Sequence, residues 1–209
     1  MSVRRLAPNE LQPANFTFTE ENLTFAKGEI AKYPPGRQAS AVIPLLYLVQ
    51  EQMRRQTGSA WVPRAAMDVV AARLGMPPIR VYEVATFYLM FNTHPVGSFH
   101  LQICTTTPCW LRGSDDVVAA CRRATGIAGW GQTSADGVFT MSEVECLGAC
   151  VNAPMMQVND DFYEDLDGPR TEALLAALRR GERPTPGPTI ARQTSAPEGG
   201  PNTLTTVDE

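Results

Sequence analysis

The sequence LQICTTTPC at residues 101–109 and the sequence EVECLGAC at residues 143–150 decide the fold of the region around them. Each stretch ends a run of strand-like residues in a pair of cysteines, so each predicts a strand followed by a loop that carries two thiols. The pairs have the spacings C-x4-C and C-x3-C, and their members are Cys104, Cys109, Cys146 and Cys150. Two such loops could surround one metal centre.

Three kinds of site fit two cysteine pairs: a [2Fe–2S] cluster, a structural zinc ion and two disulfides. Zinc sites typically use C-x2-C, although longer spacings are tolerated, whereas a binuclear iron centre is wider and suits longer loops. Spacing alone therefore leaves iron–sulfur and zinc open. Met1–Glu10 has no apolar stretch of a secretory signal, so we expect a reducing compartment, which favours a metal over disulfides.

Composition limits the possible partners. The chain has 209 residues and a formal net charge of −4, so it lacks the basic character of a nucleic-acid-binding domain. Its longest apolar run, 41–49, contains a proline and is far too short to cross a bilayer. We expect neither a nucleic-acid partner nor direct membrane insertion.

Residues 18–94 predict a small helical bundle without chemistry of its own. Helices are expected from Thr19 to about Lys32, from near Ser40 with Pro44 in the first turn, from Pro63 to Gly75, and after Pro78. The fourth helix has apolar residues at helical spacing, namely Val81, Val84, Ala85, Tyr88 and Phe91.

Residues 95–181 predict a second domain with a mixed order of elements. The period changes to two at Phe99, and the expected order is strand, helix, strand, strand pair and helix. The boundaries are a strand at 99–103, a helix capped by Ser114, a strand at 138–144, a hairpin turning at Asn159-Asp160 and a helix at 171–180. This order is thioredoxin-like, although the redox C-x-x-C is missing.

The remaining segments and side chains predict no further site. Residues 1–17 are expected to be a flexible lead-in, and residues 182–209, rich in Pro, Gly, Ser and Thr, a disordered tail. Cys121 follows Val117 by one helical turn, which predicts a buried, inert thiol. His100 is expected on a sheet face, because a Rieske-type site needs two suitably spaced histidines.

Three motifs together resemble a known family. They are Cys104-x4-Cys109, the sequence ECLGAC at 145–150 followed by Ala153-Pro154, and the sequence VYEVATFY at 81–88. They resemble the thioredoxin-like [2Fe–2S] subunit of NADH:quinone oxidoreductase, respiratory complex I, over about residues 18–181. The resemblance implies an α+β fold in which an N-terminal helical bundle precedes a thioredoxin-like α/β [2Fe–2S] ferredoxin domain.

The resemblance also implies a role. Cys104, Cys109, Cys146 and Cys150 would ligate one [2Fe–2S] cluster, and no residue of the chain would be catalytic. The chain would act only as a subunit, beside the flavin- and NADH-binding subunit and the other iron–sulfur subunits of the peripheral arm. FMN and NADH would be bound by that partner. The expected location is the cytoplasmic face of a bacterial inner membrane, or the mitochondrial matrix in a eukaryote.

Two alternatives remain at this stage. Related subunits serve NAD-linked hydrogenases and formate dehydrogenases, and a zinc-stapled interaction module would use its helical bundle as the working surface. For an iron–sulfur centre, Glu143 and Glu145 are expected to lower the reduction potential. Backbone amides of 105–107 and 148–149 are expected to donate to sulfur and raise it.

Overall fold

The computed structural model describes residues 5–200, 202 and 203, and the chain divides into two compact units, Met1–Ser98 and Phe99–Glu209. The boundary expected from the sequence lay between residues 94 and 95. Within the described residues, no helix is both long enough and apolar enough to cross a membrane.

In the described part of the first unit, four α-helices build the core: α1 (Glu20–Ala31), α2 (Val42–Thr57), α3 (Arg64–Leu74) and α4 (Pro78–Phe87). The Thr19 side chain accepts a hydrogen bond from the Asn22 amide at 3.2 Å, so the predicted cap of α1 is confirmed. Gly75 ends α3 with a φ of 63°, also as predicted. All four helices contribute to one core, whose fully buried members include Ala26, Leu45, Val49, Val70, Val81 and Ala85.

The prediction for α4 was wrong at its end. The helix ends at Phe87, and Tyr88 is extended and 38% exposed. Phe91 is fully buried, but it reaches the core from a turn in which its amide donates to the Tyr88 carbonyl at 3.2 Å. Tyr88 and Phe91 thus continue the helical spacing of apolar residues although they lie beyond the end of the helix, and this made the predicted helix too long.

The lead-in is not a flexible segment from residue 5 onward. Within it, Ala7 and Phe16 are buried in the core of the first unit, and Leu6 is partly buried against that core. The Ala7 amide donates to the Thr93 carbonyl at 3.0 Å, which ties the segment to the far end of the unit's chain. The expectation failed because three apolar residues, spaced without periodicity, are enough to anchor a short segment.

One six-stranded sheet forms the second unit, in the order β2-β3-β1-β4-β5-β6. Its strands are β1 (Phe99–Cys104), β2 (Gln132–Thr133), β3 (Phe139–Val144), β4 (Met156–Val158), β5 (Asp161–Glu164) and β6 (Gly187–Pro188). β1 pairs with β3 in parallel and with β4 in antiparallel fashion. The predicted hairpin is confirmed, since β4 and β5 are joined by Asn159 and Asp160.

Three helices accompany the sheet: α5 (Thr107–Leu111), α6 (Ser114–Thr125) and α7 (Gly168–Arg179). α6 and α7 share a core with the strands, including Val117, Cys121, Leu101, Phe139, Met156, Leu175 and Leu178. The predicted Ser114 cap is wrong: Gly113 precedes the helix with a φ of 98°, and Ser114 is its first, buried residue. α7 begins three residues earlier than predicted, because the Asp167 side chain caps it by accepting from the Arg170 amide at 2.8 Å.

The tail is ordered over much of its described length. Gly187 pairs with Tyr163 in parallel as β6, and the Tyr163 hydroxyl donates to the Pro184 carbonyl at 3.0 Å. The expectation of disorder is therefore corrected for residues 184–196, which are held by backbone and polar side-chain contacts that an apolar count does not detect. Residues 201 and 204–209 lie outside the described part of the chain.

Candidate metal centre

Parallel pairing brings the two cysteine loops to one edge of the sheet. β1 ends at Cys104 and β3 at Val144, and these two residues are direct partners in the register. Cys146 follows two residues beyond the end of β3. Because the carboxyl ends of neighbouring parallel strands lie on the same side, both loops leave the sheet at the same place.

The first cysteine pair is buried. Cys104 and Cys109 are each only 1% exposed, and Cys109 lies in the short helix α5. Cys104 Sγ lies 3.2 Å from the hydroxyl oxygen of Thr106. The pKa of the Cys109 thiol is raised to about 12, mainly by burial and to a smaller extent by a hydrogen bond with Cys104.

The second pair lies closer to solvent. Cys146 is exposed, Cys150 is half-buried, and their sulfur atoms are 3.3 Å apart as free thiols. The backbone N–H of Gly148 donates to Cys146 and is the main reason why the pKa of this thiol is lowered. The hydrogen bond with Cys146 raises the pKa of the Cys150 thiol.

The two pairs meet around Thr106. Its side chain contacts Cys104 and also hydrogen-bonds to Cys146, so one hydroxyl group links both loops. Cys150 interacts electrostatically with both Cys104 and Cys109. The structure therefore places all four predicted cysteines in one cluster of side chains.

A second contact joins the loops at their outer side. The Thr105 hydroxyl donates to the Glu143 carboxylate at 2.7 Å, which connects the first loop with the end of β3.

Within residues 5–200, 202 and 203, no group of three or more His, Cys, Asp or Glu side chains is arranged to hold a single metal ion. A binuclear centre divides its four thiolates between two irons and needs only two protein donors at each.

Backbone donors to sulfur are present, and hydrogen bonds of this kind tune the reduction potential of an iron–sulfur centre. The Gly148 amide donates to Cys146, at one of the predicted positions. The Met155 amide donates to Cys109, and sequence reasoning missed this donor because Met155 lies beyond the second loop. The residues that line the site thus supply four cysteine sulfurs and N–H groups directed at sulfur, which is a donor set suited to a [2Fe–2S] cluster.

The fifth cysteine and the predicted sheet-face histidine lie apart from this cluster. Cys121 is fully buried among apolar residues of α6, α7 and the sheet, and burial raises its thiol pKa to about 12. His100 is buried on β1, where its Nε2 lies 2.8 Å from the Ser142 hydroxyl oxygen. The predicted positions, a core position for Cys121 and a sheet position for His100, are confirmed, and the inertness of the Cys121 thiol stays a prediction.

A model of the thioredoxin-like [2Fe–2S] ferredoxin family matches residues 26–179, a range that contains both cysteine pairs. The chain belongs to this family. The resemblance deduced from the motifs is thereby confirmed, and so is the mixed helix-and-sheet fold. A thioredoxin-like [2Fe–2S] ferredoxin carries a [2Fe–2S] cluster, which agrees with the sulfur-rich donor set found here.

Relatives in several bacteria are components of one kind of oxidoreductase. The chain is 56% identical over 165 residues to an NADH-quinone oxidoreductase subunit of Rickettsia conorii, covering 79% of this chain and 95% of that protein. It is 47% identical over 207 residues to an NADH-quinone oxidoreductase subunit of Rhizobium meliloti, covering 98% of this chain and 73% of that protein.

A solved structure shows the same fold at low identity. It is the crystal structure of an NAD+-reducing [NiFe]-hydrogenase in the H2-reduced state, with a TM-score of 0.56 and 21% identity. The match covers 67% of this chain and 23% of the hydrogenase chain. This thioredoxin-like ferredoxin fold therefore also occurs as one part of a much longer protein.

Proposed function

We propose that the chain is the electron-transfer subunit of an NADH:quinone oxidoreductase, with one [2Fe–2S] cluster held by Cys104, Cys109, Cys146 and Cys150. The observation that carries the proposal is the meeting of both cysteine pairs at one sheet edge, in a chain about half identical to subunits of such oxidoreductases. When bound, such a cluster accepts and releases single electrons.

The two sides of this site differ in their exposure to solvent. Cys104 and Cys109 are buried and exclude water from one side, whereas Cys146 is exposed. Apolar side chains next to the pairs are exposed as well: Trp110 by 58%, Leu111 by 70% and Val151 by 70%. An apolar rim around a redox site suits a partner that must approach closely.

The partner that the chemistry requires is a flavoprotein. NADH delivers a hydride, and a [2Fe–2S] centre takes one electron at a time, so a flavin has to divide the pair. We therefore assign the rim to the flavin- and NADH-binding subunit. In the assembled complex the chain would lie in the peripheral arm, on the cytoplasmic face of the inner membrane or, in a eukaryote, in the matrix.

The experiment mixes the cluster-loaded chain with the flavin- and NADH-binding subunit and follows complex formation by gel filtration. The chain alone is expected to be reduced by dithionite and not by NADH, and the two proteins are expected to coelute. Leu111→Asp should weaken the complex, because it puts a charge on the apolar rim. Ala176→Asp, at an exposed position on α7, is the matched control and should leave it unchanged.

Two results would overturn the proposal. Absence of any complex with the flavoprotein would remove the assignment to this oxidoreductase. Direct reduction of the isolated chain by NADH would contradict the argument that a separate flavin is needed.

A further inference from the structure

The segment after α7 returns to the sheet and forms a strap, defined here as residues 184–196. Its strand β6 pairs with β5, and Thr189 makes three hydrogen bonds at the end of that strand. The Thr189 amide donates to the Glu164 carbonyl at 3.0 Å, and its single hydroxyl proton is shared between the carbonyls of Glu164 at 2.8 Å and Asp165 at 2.9 Å. These hydrogen bonds attach the strap to the chain at Glu164 and Asp165.

Asp165 is held by an ion pair with Arg192 of the strap. The Arg192 Nε donates to one carboxylate oxygen at 2.8 Å, and Nη2 donates to the other. The two side chains are only 9% and 5% exposed. Two parallel N–H···O bonds between a guanidinium and a carboxylate fix the relative orientation of the two groups. The pair therefore holds the strap and Asp165 in place.

Asp165 in turn holds the second cysteine loop. Its backbone amide donates to the Asn152 carbonyl at 2.7 Å, and Asn152 closes the single turn Cys150–Asn152. Asp165 adopts a φ of 55°, a conformation that only a few non-glycine residues tolerate. Its contacts on both sides therefore maintain a backbone geometry that the residue alone would not favour.

The strap also contacts the loop directly. The Asn152 side-chain amide donates to the Thr194 carbonyl at 3.0 Å, and it also donates to the Glu164 carboxylate. The Arg192 Nη2 reaches the Val151 carbonyl at 3.5 Å. Both residues that directly follow Cys150 are thereby contacted by the strap.

We infer that the strap is a positioning element for the cluster: through Arg192, Asp165 and Asn152 it fixes the turn that carries Cys150. This inference rests on the proposed ligation by Cys150. Asp165, Asn152 and Arg192 do not provide ligands themselves; they restrict the backbone from which the Cys150 thiolate extends. Residues that orient metal ligands in this way commonly change metal affinity about 10- to 100-fold when they are replaced.

The test uses the full-length chain with its cluster and the double variant Asp165→Asn/Arg192→Ala. The double replacement removes the ion pair without leaving a buried unpaired charge, and Asn tolerates a positive φ, so the fold should be retained. Hydrogen–deuterium exchange of residues 184–196 reports release of the strap. Loss of visible absorbance in the presence of an iron chelator reports release of the cluster.

Two controls separate positioning from general instability. Arg180→Ala removes an exposed ion pair with Glu182, next to the strap but away from the loop. Leu175→Ala opens a cavity in the core between α7 and the sheet, and so lowers the stability of the unit without touching Asn152. Both controls should keep the wild-type rate of iron loss at a temperature where all variants are folded.

The expected result is faster exchange across the strap and iron loss about 10-fold faster in the double variant alone. Faster exchange with iron loss at the wild-type rate would overturn the positioning role, and so would unchanged exchange of the strap. A full-length chain that binds no iron and sulfide would instead refute the ligand assignment itself, so the two failures are distinguishable.

Discussion

Cys104 and Val144 are the last residues of two neighbouring parallel strands, and they are direct partners in the register. The pairing explains why two cysteine pairs far apart in the sequence meet in space. Each strand ends where its loop begins, so the loops share an edge of the sheet, and Thr106 contacts sulfur atoms from both.

The four clustered cysteines should each be necessary for the metal centre, whereas the fifth should not. Replacing Cys104, Cys109, Cys146 or Cys150 by Ala is expected to abolish the [2Fe–2S] EPR signal of the dithionite-reduced protein. Cys121→Ala should keep the signal and cost on the order of 1 kcal/mol of stability, the loss of one small buried group. A Cys121 variant that folds but has no signal would contradict the ligand assignment.

Cys121 should also make the stability of the protein depend on alkaline pH. An exposed thiol has a pKa of about 8.5, whereas burial raises the pKa of Cys121 to about 12. The folded state therefore keeps its proton over this interval while the unfolded state loses it. Wild-type stability should fall relative to Cys121→Ala by about 1.4 kcal/mol per pH unit above about 8.5, and the difference should be constant below it.

Thermal melts of both proteins at pH 7 and at pH 10 measure this difference. Parallel behaviour of the two proteins at both pH values would show that the Cys121 thiol ionises normally in the folded state.

Gly148 should be difficult to replace. It has a φ of 89°, where an L side chain is strained by about 1–2 kcal/mol, and its amide donates to Cys146. Gly148→Ala is expected to destabilise the loop by that amount and to accelerate iron loss to a chelator. Gly28→Ala is the matched control: Gly28 lies in α1 with nothing within 4 Å, so alanine should be neutral or slightly stabilising there. Equal iron loss in the two variants would contradict a role for the Gly148 backbone.

A chain that ends at Gly181 should be less stable than the full chain. The truncation removes β6, the Tyr163–Pro184 hydrogen bond and the partner of the Asp165 carboxylate. We expect a loss of about 1–3 kcal/mol, which corresponds to a melting temperature lower by about 2–4 °C for each kcal/mol. An unchanged melting temperature would mean that the strap contributes nothing to the stability of the folded unit.

The sequence predicted the elements that depend on local chemistry. The period of two at Phe99 located β1, Asn159-Asp160 located the hairpin turn, and the Thr19 cap located the start of α1. The four cysteines could be proposed as ligands for a different reason, because paired cysteines have few uses in a reducing compartment and their spacing resembles that of a known family.

The features that escaped prediction depend on contacts distant in sequence. The strap is polar and rich in proline, and its order comes from Glu164, the last residue of β5, and Asp165, which directly follows it. The end of α4 has no glycine or proline, and Phe91 continues the apolar spacing from a turn. The Met155 amide becomes a sulfur donor only after the chain folds back on Cys109.

Iron and acid-labile sulfide analysis of the anaerobically purified chain tests the central claim most directly. If Cys104, Cys109, Cys146 and Cys150 hold a [2Fe–2S] cluster, the protein should be coloured and contain two irons and two sulfides per chain, with no zinc. A colourless protein that contains one zinc ion per chain and no sulfide would contradict the account and favour a zinc-stapled module.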